Sequence, residues 1–259
     1  MIVTLTTDFG LSDGFVGAMK GVILGINPDA TIVDITHDIA PQNIEQGAFL
    51  FANAAKYFPA DAIHVVVVDP GVGSARRAIA ARESETLFVA PDNGVLSSVL
   101  RPSSSVVQLN KPAYWLPRVS NTFHGRDVFA PVGAHLARGV SLEELGDPID
   151  DWIRLPRASA QHIGDEMVGR VVHIDRFGNL ITNIGEDLLA AMDRARIVVR
   201  IGGKTMRGMR QSYSDVARGE LVAFISSSWH LEVAMREGSA AQALGARIGD
   251  QVTIALDRD

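Results

Sequence analysis

An acid, a glycine-containing turn and an arginine pair form the sharpest chemical feature of the sequence. Asp69 follows the apolar run His64–Val68, and Arg76 and Arg77 follow Gly71-Val72-Gly73. Ligands of an open α/β sheet bind beyond the carboxyl ends of its strands, so Asp69 and Arg76 are well placed for a binding site. A neighbouring arginine would keep a partly buried Asp69 ionised. A plain strand–loop turn with surface arginines explains the spacing equally well. The segment lacks the third glycine of a dinucleotide fingerprint, which argues against NAD.

A histidine and two aspartates add ionisable groups close to predicted helix starts. His124 precedes Asp127 and a predicted helix, and histidine is the side chain best suited to move protons near neutral pH. Taken alone, that segment is better explained by Asp127 as an N-cap beside a solvated histidine. Asp8 ends the first predicted strand and Asp13 begins the first helix, where two carboxylates could accept hydrogen bonds from ribose hydroxyls or hold a cation. The Asp-Phe-Gly triplet at 8–10 has none of the other kinase motifs, so it does not indicate a kinase.

A turn later in the chain could hold a flat ring and an ammonium group. It reads Asp175-Arg176-Phe177-Gly178-Asn179 and lies between two predicted strands. Phe177 could stack on a ring, and Asp175 could hold the ammonium group. By itself, such a segment is usually only a turn.

The order of predicted elements indicates two domains. Strands and helices alternate over about the first 150 residues, which predicts a mostly parallel, three-layer α/β domain over residues 1–158. Short β-rich runs dominate after a polar stretch at 155–160, which predicts a small C-terminal antiparallel β-barrel domain over residues 166–259. The predicted helices are Phe15–Ile26, Ile44–Phe58 with Asn43 as its N-cap, Val128–Leu136, Glu186–Met192 and Ala240–Leu244. The predicted strands of the second domain are Val171–Ile174, Leu180–Ile184, Ile197–Ile201, Leu221–Ile225, Leu231–Ala234 and Val252–Leu256.

Composition excludes several classes of function. The 259-residue chain has a formal net charge of −6 and a pI of about 5.6, so it lacks the cationic excess that a nucleic-acid-binding protein needs. It contains no cysteine, which excludes disulfides, thiolate zinc sites and a cysteine nucleophile and fits a reducing compartment. No apolar stretch approaches the roughly 20 residues that span a bilayer, and the first residues lack a basic leader. We therefore expect a cytoplasmic protein with no membrane partner.

Together and in this order, the four motifs are similar to those of the S-adenosyl-L-methionine hydroxide adenosyltransferases, the adenosine-forming S-adenosylmethionine hydrolases. These enzymes are related to fluorinating and chlorinating enzymes that act on the same substrate. The resemblance covers nearly the whole chain and includes Thr36-His37-Asp38-Ile39 with Gly47, and Ala90-Pro91-Asp92-Asn93-Gly94. It implies hydrolysis of S-adenosyl-L-methionine to adenosine and L-methionine by in-line attack of an activated water at ribose C5′, with no cofactor and no metal.

The resemblance also implies an assembly and a set of site residues. The family has an N-terminal α/β domain and a C-terminal β-barrel in a homotrimer, with each active site between the N-terminal domain of one subunit and the C-terminal domain of the next. Asp69, Arg76 and His124 match the triad that holds and activates water, and the sequence leaves open whether Asp69 or His124 takes the proton. The residues that match substrate-binding positions are Asp8, Asp13, Phe123, Asp175, Phe177, Asn179, Ser227 and Glu232.

Two comparisons with the family pattern bear on the reaction and on the pocket. The halide-using relatives lack the Asp–Arg–His set and carry an aromatic residue where this chain has Gln42, which favours hydrolysis. The family typically has an Asn-Ser pair and a glycine before a Leu-Glu in its late segment. Here the stretch Ser226–Glu232 keeps the matched serine, Ser227, but has Trp229 in place of the small residue.

Two other functions compete with this interpretation. A metal-dependent phosphoester hydrolase could use Asp8, Asp13, Asp38, His37 and His124, although the sequence has no Asp/Glu-x-His or His-x-His pairing that would bring them to one ion. A non-catalytic protein that senses or buffers adenosine or S-adenosylmethionine would bind the same ligand, but it would not need an intact triad.

Overall fold

A computed structural model describes residues 1–156 and 160–257 of the chain. The chain divides into two compact units, the first formed by Met1–Pro156 and the second by the rest. The predicted end of the first domain, Ala158, lies outside the described residues. None of the helices in the described part of the chain combines the length and the apolar character of a membrane span.

The first unit contains seven strands and three α-helices among its described residues. Its elements are β1 (Ile2–Thr7), α1 (Phe15–Ile26), β2 (Thr31–Thr36), α2 (Ile44–Ala55), β3 (Ile63–Val67), β4 (Ala78–Glu83), β5 (Thr86–Pro91), β6 (Ser105–Leu109), α3 (Ala130–Ala137) and β7 (Gly146–Pro148), with short 3₁₀ turns at Pro112–Tyr114 and Leu142–Glu144 and a π-helical turn at Gly125–Phe129.

These strands form one mixed sheet in the order β2-β1-β3-β5-β4-β6-β7. The pairs β1/β2, β1/β3 and β3/β5 are parallel. The pairs β4/β5, β4/β6 and β6/β7 are antiparallel. The parallel half places the carboxyl ends of β1 and β3 side by side. Asp8 and Asp69 therefore follow neighbouring strands at the same edge of the sheet.

Helices cover both faces of the sheet, which explains the continuous apolar run of β3. Val65 and Val67 belong to the core formed with α1 and α3, whereas Val66 belongs to the core formed with Phe51 of α2. Successive residues of a strand point to opposite faces, so every position of β3 is buried. The three-layer α/β architecture predicted for the first domain is confirmed.

Helix boundaries follow local hydrogen bonding. Asn43 caps α2 as predicted, because its side chain accepts the Gln46 N–H at 3.0 Å, but α2 ends at Ala55 and not at Phe58. The helix predicted at Val128–Leu136 begins only at Ala130. A π-helical turn comes before it, in which the Ala130 N–H bonds to the Gly125 carbonyl. The predicted start at Val128 was wrong because that residue lies inside the wider turn.

The second unit is formed mainly by β-strands. Its elements are β8 (Gln161–Ile163), β9 (Glu166–Ile174), β10 (Leu180–Gly185), α4 (Glu186–Leu189), β11 (Ile197–Ile201), β12 (Lys204–Arg207), β13 (Leu221–Ile225), β14 (His230–Met235), α5 (Ala240–Leu244) and β15 (Gln251–Leu256), with 3₁₀ turns at Arg194–Arg196 and Tyr213–Asp215. The helix predicted over Glu186–Met192 is only the single turn α4.

The strands of the second unit form an antiparallel, nearly closed barrel. Their order is β12-β11-β15-β9-β10-β14-β13, and β8 adds to β9. The two ends of this path approach each other, since the Arg210 N–H beyond β12 donates to the Ala223 carbonyl of β13 at 2.9 Å. Alternate residues of each strand fill one apolar interior, as expected for a small barrel. The predicted barrel architecture is confirmed.

Candidate active site

Asp69 and Arg76 form a bidentate ion pair where β3 ends and β4 begins. Arg76 Nε donates to Asp69 Oδ1 at 3.0 Å, and Arg76 Nη2 donates to Asp69 Oδ2 at 2.5 Å. The side chain of Arg76 is only 8% exposed and that of Asp69 only 5% exposed. The turn between them is tight, since the Val72 N–H bonds to the Asp69 carbonyl. A buried bidentate pair of this kind holds both groups in one geometry.

His124 completes the group through the same guanidinium. Arg76 Nη2 lies 3.1 Å from His124 Nδ1. Because arginine has donors and no acceptor, the Nδ1 lone pair must accept this bond, and a neutral His124 carries its proton on Nε2. Arg76 thus forms hydrogen bonds with both other residues that the resemblance matched to a water-activating triad.

Gly73 and Asn121 bring the two segments of the triad together. Gly73 has a φ of 76°, and a Cβ built on it would lie 2.2 Å from the Asn121 carbonyl oxygen. Only glycine accepts both the left-handed backbone and this close approach. The loop that carries Arg76 therefore rests directly on the loop that carries His124.

Burial acts on both titratable members of the triad, in opposite directions. It raises the pKa of Asp69 above its ordinary value, although the neighbouring Arg76 and His124 oppose the change. It lowers the pKa of His124, and the Arg76 cation adds to that effect, against the charges of Asp69 and Asp127. Near pH 7 the imidazole is therefore neutral. The group offers one guanidinium, one carboxylate that is more basic than usual, and one imidazole N–H.

Asp127 stabilises the segment that carries His124 and is not an N-cap. It lies inside the π-helical turn, fully buried, and its carboxylate accepts Arg126 Nε at 2.6 Å and the Ser120 N–H at 2.8 Å. Burial acts to raise the pKa of Asp127, but these two partners outweigh it and hold the pKa below its usual value. The interpretation of Asp127 as a cap beside a solvated histidine was wrong, because the chain continues from His124 into the turn without a helix start at Asp127.

Asp8 lies in a turn that is held from two sides. Its Oδ2 accepts the Gln42 N–H at 2.7 Å, and Gln42 adopts a left-handed backbone with φ 67°. The buried His37 holds the other side of the turn, since its Nδ1 lies 2.8 Å from Thr7 Oγ1 and its carbonyl accepts the Gly10 N–H. Left-handed backbone at a residue other than glycine is concentrated at functional sites.

An aromatic cluster joins the Asp8 turn to the His124 segment. The ring of Phe123 lies 5.8 Å from that of Phe9 and 5.2 Å from that of Phe15, edge to face in both cases. Arg126 covers the Phe123 ring at 4.9 Å. Asp13 lies in the exposed stretch just before Phe15. The first unit thus gathers Asp8, Phe123 and the triad at one edge of the sheet, and Asp13 lies two residues before Phe15 of the aromatic cluster.

The residues of the metallohydrolase interpretation do not form a cation site. Within residues 1–156 and 160–257, no group of three or more His, Asp or Glu side chains could hold a metal ion. His37, for example, is 3% exposed and lies between Thr7 Oγ1 and Asp34 Oδ1, which is 3.1 Å from its Nε2.

A chain of hydrogen bonds links the predicted site residues of the second unit. Asn179 Nδ2 donates to Asp175 Oδ2 at 2.9 Å and lies 3.4 Å from the Tyr213 hydroxyl. Tyr213 in turn donates to Glu232 Oε1 at 2.8 Å. Burial raises the pKa of Glu232, which is 5% exposed. Sequence reasoning missed Tyr213, and an aromatic residue in the polar stretch between two predicted strands was the only signal for it.

Phe177, Ser227 and Trp229 lie on the surface of the second unit. Phe177 is 76% exposed at the tip of the turn whose backbone Asp175 holds, since Asp175 Oδ1 accepts the Phe177 and Asn179 N–H groups at 2.9 Å. Ser227 is exposed. Trp229 is 60% exposed and has a φ of 62°, which explains why the family pattern has glycine there. Two cavities of about 520 and 730 Å³ lie elsewhere in this unit and contain none of the predicted site residues.

Each of the two units matches a domain model of one protein family. The family model for the SAM hydroxide adenosyltransferase N-terminal domain matches residues 3–146, and the model for the C-terminal domain matches residues 169–253. An (R)-S-adenosyl-L-methionine hydrolase from Salinispora tropica is 38% identical over 97% of both chains. A fluorinase from Nocardia brasiliensis is 27% identical over 98% of this chain and 96% of its own. The crystal structure of an uncharacterized conserved protein from Thermotoga maritima is 37% identical, with a TM-score of 0.89, over 98% of this chain and all of that one.

Proposed function

Because the chain belongs to the SAM hydroxide adenosyltransferase family, we propose that it hydrolyses S-adenosyl-L-methionine to adenosine and L-methionine. The observation that carries this proposal is the hydrogen-bonded group of Asp69, Arg76 and His124 at the carboxyl end of β3. The proposal is supported by the higher identity to a hydrolase, 38%, than to a fluorinase, 27%.

The proposed chemistry requires what this group offers. The ribose C5′ is already activated by the sulfonium, and methionine leaves as a neutral thioether, so the leaving group needs no general acid. The enzyme must hold a water in line with the C5′–S bond and accept its proton. Arg76 keeps Asp69 in place and stabilises the hydroxide character that develops on the water.

Substrate contacts are proposed from both units. Asp8 and Asp13 bind the ribose and the methionine end, and Phe123 forms the wall beside the triad. Asp175 holds the methionine ammonium. The remaining contacts, mostly to adenine, come from Phe177, Asn179, Ser227 and Glu232.

We propose that the enzyme is a homotrimer in which a neighbouring copy completes each site. In support, Phe177 is exposed although a ring-stacking role needs a partner surface. Light scattering should give the mass of three chains. Co-expression of Asp69→Asn and Asp175→Asn chains should restore about one quarter of the wild-type activity, because random association places two intact halves together at that frequency. Sites built within one chain would remain inactive in that mixture.

The reaction is proposed to need no metal or other cofactor and to occur in the cytoplasm. A sulfonium leaves as a neutral thioether, so it does not need Lewis-acid activation. The absence of cysteine fits a reducing compartment. Cell fractionation with an antibody against the chain tests the location.

The reaction is tested by incubating the purified protein with S-adenosyl-L-methionine in oxygen-18 water containing EDTA. Mass spectrometry should find adenosine that carries the heavy oxygen, together with methionine. Added fluoride or chloride should give no 5′-halogenated product. Asp69→Asn should reduce the amount of labelled adenosine by at least about 10²-fold, whereas Asp61→Asn should not, since Asp61 is an exposed carboxylate at the other end of β3. Tight binding without adenosine would refute the proposal and leave a binding protein.

A further inference from the structure

We infer that Asp69, and not His124, accepts the proton of the attacking water, while His124 acts as a hydrogen-bond donor through Nε2. This inference rests on the proposed function and goes beyond it, because the sequence left both residues as candidates. It depends on the direction of one hydrogen bond, from Arg76 Nη2 to His124 Nδ1 at 3.1 Å.

The Arg76 contact blocks both nitrogens of His124 as proton acceptors. The lone pair of Nδ1 already accepts from the guanidinium, so the neutral ring has its proton on Nε2 and no second lone pair. The other neutral tautomer would have a proton on Nδ1 pointing at an Arg76 N–H, two donors 3.1 Å apart. Protonation at Nδ1 would break the same bond and place an imidazolium beside the guanidinium. Both changes would therefore break the hydrogen bond between Arg76 and His124.

Asp69 keeps acceptor capacity that His124 lacks. An ionised carboxylate has about four lone-pair directions. Arg76 occupies one on each oxygen, through Nε and Nη2, and the backbone of Gly71 occupies a third. One direction remains for a water. Burial raises the pKa of Asp69, which makes its carboxylate a stronger base than an exposed one.

The resulting step balances in atoms and charge. The water oxygen forms a bond to C5′, and the C5′–S bond breaks with its electron pair going to sulfur. The proton leaves the water for Asp69, so a carboxylate and a sulfonium become a carboxylic acid and a thioether. Asp69 then releases this proton to solvent. His124 Nε2–H donates to the water oxygen and orients it, while Arg76 remains charged throughout.

Two variants of His124 separate a donor from a base. His124→Gln keeps an acceptor for Arg76 and an N–H donor but cannot take a proton near pH 7, whereas His124→Ala keeps neither. We expect His124→Gln to retain kcat within about 10-fold of wild type, since one hydrogen bond is altered, and His124→Ala to fall well below it. Asp69→Asn, close in shape but not basic, should lose about 10²- to 10⁴-fold. Thermal unfolding of each variant checks that it folds.

The pH profile identifies the group that titrates. Asp69 faces Arg76 and His124, and His124 faces Arg76, Asp69 and Asp127. The rate should fall as the pH drops through the pKa of Asp69, and this acid limb should persist in His124→Gln. Nitrogen-15 NMR provides a readout independent of turnover. The signals missing from His124→Gln belong to His124, and they should show the proton on Nε2.

The outcomes separate the inference from the proposed function. Absence of adenosine from the wild-type reaction would refute both. If the wild type is active, two results would overturn the inference and leave the proposed function intact. One is a His124→Gln variant as inactive as His124→Ala, and the other is loss of the acid limb in His124→Gln. An Nδ1–H tautomer for His124 or near wild-type activity in Asp69→Asn would also overturn it. Retained activity and a retained acid limb in His124→Gln would establish Asp69 as the base.

Discussion

The buried histidine of β3 should make the stability of the first unit depend strongly on pH. His64 is 1% exposed, and its Nδ1 lies 2.6 Å from Thr4 Oγ1. Its ring packs against those of Phe51, Phe58 and Phe88 at centroid distances of 5.2, 5.8 and 5.5 Å. Burial in this apolar surrounding lowers the pKa of His64 from 6.5 to about 4, because the protein does not replace the water that would solvate an imidazolium.

The sign and size of the effect follow from the two pKa values. Above pH 6.5 the imidazole is neutral in both the folded and the unfolded chain and adds no pH dependence. Between pH 6.5 and about 4, only the unfolded chain binds the proton, so the free energy of unfolding decreases as the pH falls through this window. The two values differ by about 2.5, and each unit corresponds to about 1.4 kcal/mol. The full shift corresponds to about 3.5 kcal/mol, of which about 3 kcal/mol is lost by pH 4, where about half of the folded chains also bind the proton.

The test compares the wild type with His64→Gln, which does not titrate and can still accept from Thr4. Urea unfolding at several values between about pH 7.5 and pH 4 gives both free energies, and their difference removes the contribution of the acids that titrate in both proteins. The stability advantage of the wild type should shrink by about 3 kcal/mol. As a control for the substitution itself, His162→Gln replaces an exposed histidine of β8, and its free energy of unfolding should stay close to that of the wild type at each pH. A difference between wild type and His64→Gln that stays constant across this range would refute the reasoning.

Three further substitutions test contacts that shape the candidate site. Gly73→Ala should lower kcat by at least about 10-fold, measured by adenosine release, because its Cβ would meet the Asn121 carbonyl at 2.2 Å and separate the two triad loops. Tyr213→Phe should lower the free energy of urea unfolding by about 1–3 kcal/mol and raise KM, because the buried Glu232 loses its 2.8 Å donor. Asn43→Ala should lower the unfolding free energy by about 1 kcal/mol through loss of the α2 cap, measured by thermal unfolding.

Each of these changes has a matched control in the same chain. Gly139 also has a positive φ, but a Cβ there would meet open space, so Gly139→Ala should reduce stability without affecting kcat. Tyr57 is 73% exposed, and Tyr57→Phe should leave both stability and KM unchanged. Asn43→Ser keeps a side-chain acceptor and should retain the cap. Equal effects in test and control would contradict the contacts assigned to Gly73, Tyr213 or Asn43.

The sequence predicted the parts of the site that depend on strand ends. Asp8 and Asp69 follow short apolar runs, and parallel strands with covered faces place such residues at one edge. Helix α1 has the predicted bounds, Phe15–Ile26, because its apolar positions repeat at helical spacing. These features depend on residues that are close together in the chain, so they can be predicted from short sequence patterns.

Other features depend on contacts between segments that are far apart in sequence. Tyr213 reaches Glu232 only because β13 and β14 pair with a register that turns Glu232 toward the 3₁₀ turn before β13. Gln42 holds Asp8 across 34 positions of sequence, and its left-handed backbone has no residue-type signal. The position of Asp127 inside a π-helical turn depends on the hydrogen bonds that Ser120 and Arg126 donate to its carboxylate, and these bonds are not visible in the sequence. Spacing alone assigned that residue to a helix cap, since caps are the commoner use of aspartate there.

Charge balance at the triad connects its burial to the proposed reaction. The substrate brings a sulfonium, which a positively charged site would repel. The charges of Asp69 and Arg76 cancel, so the net charge of the triad depends on His124, and the lowered pKa of His124 keeps its imidazole neutral near pH 7. When the water proton passes to Asp69, the positive charge of Arg76 becomes unpaired at the step in which the sulfonium becomes a neutral thioether. The combined charge of the triad and the substrate sulfonium stays constant in this step, which matters because burial weakens the solvation of charge. Burial thus makes Asp69 more basic and His124 less basic, and both effects favour the carboxylate as the proton acceptor.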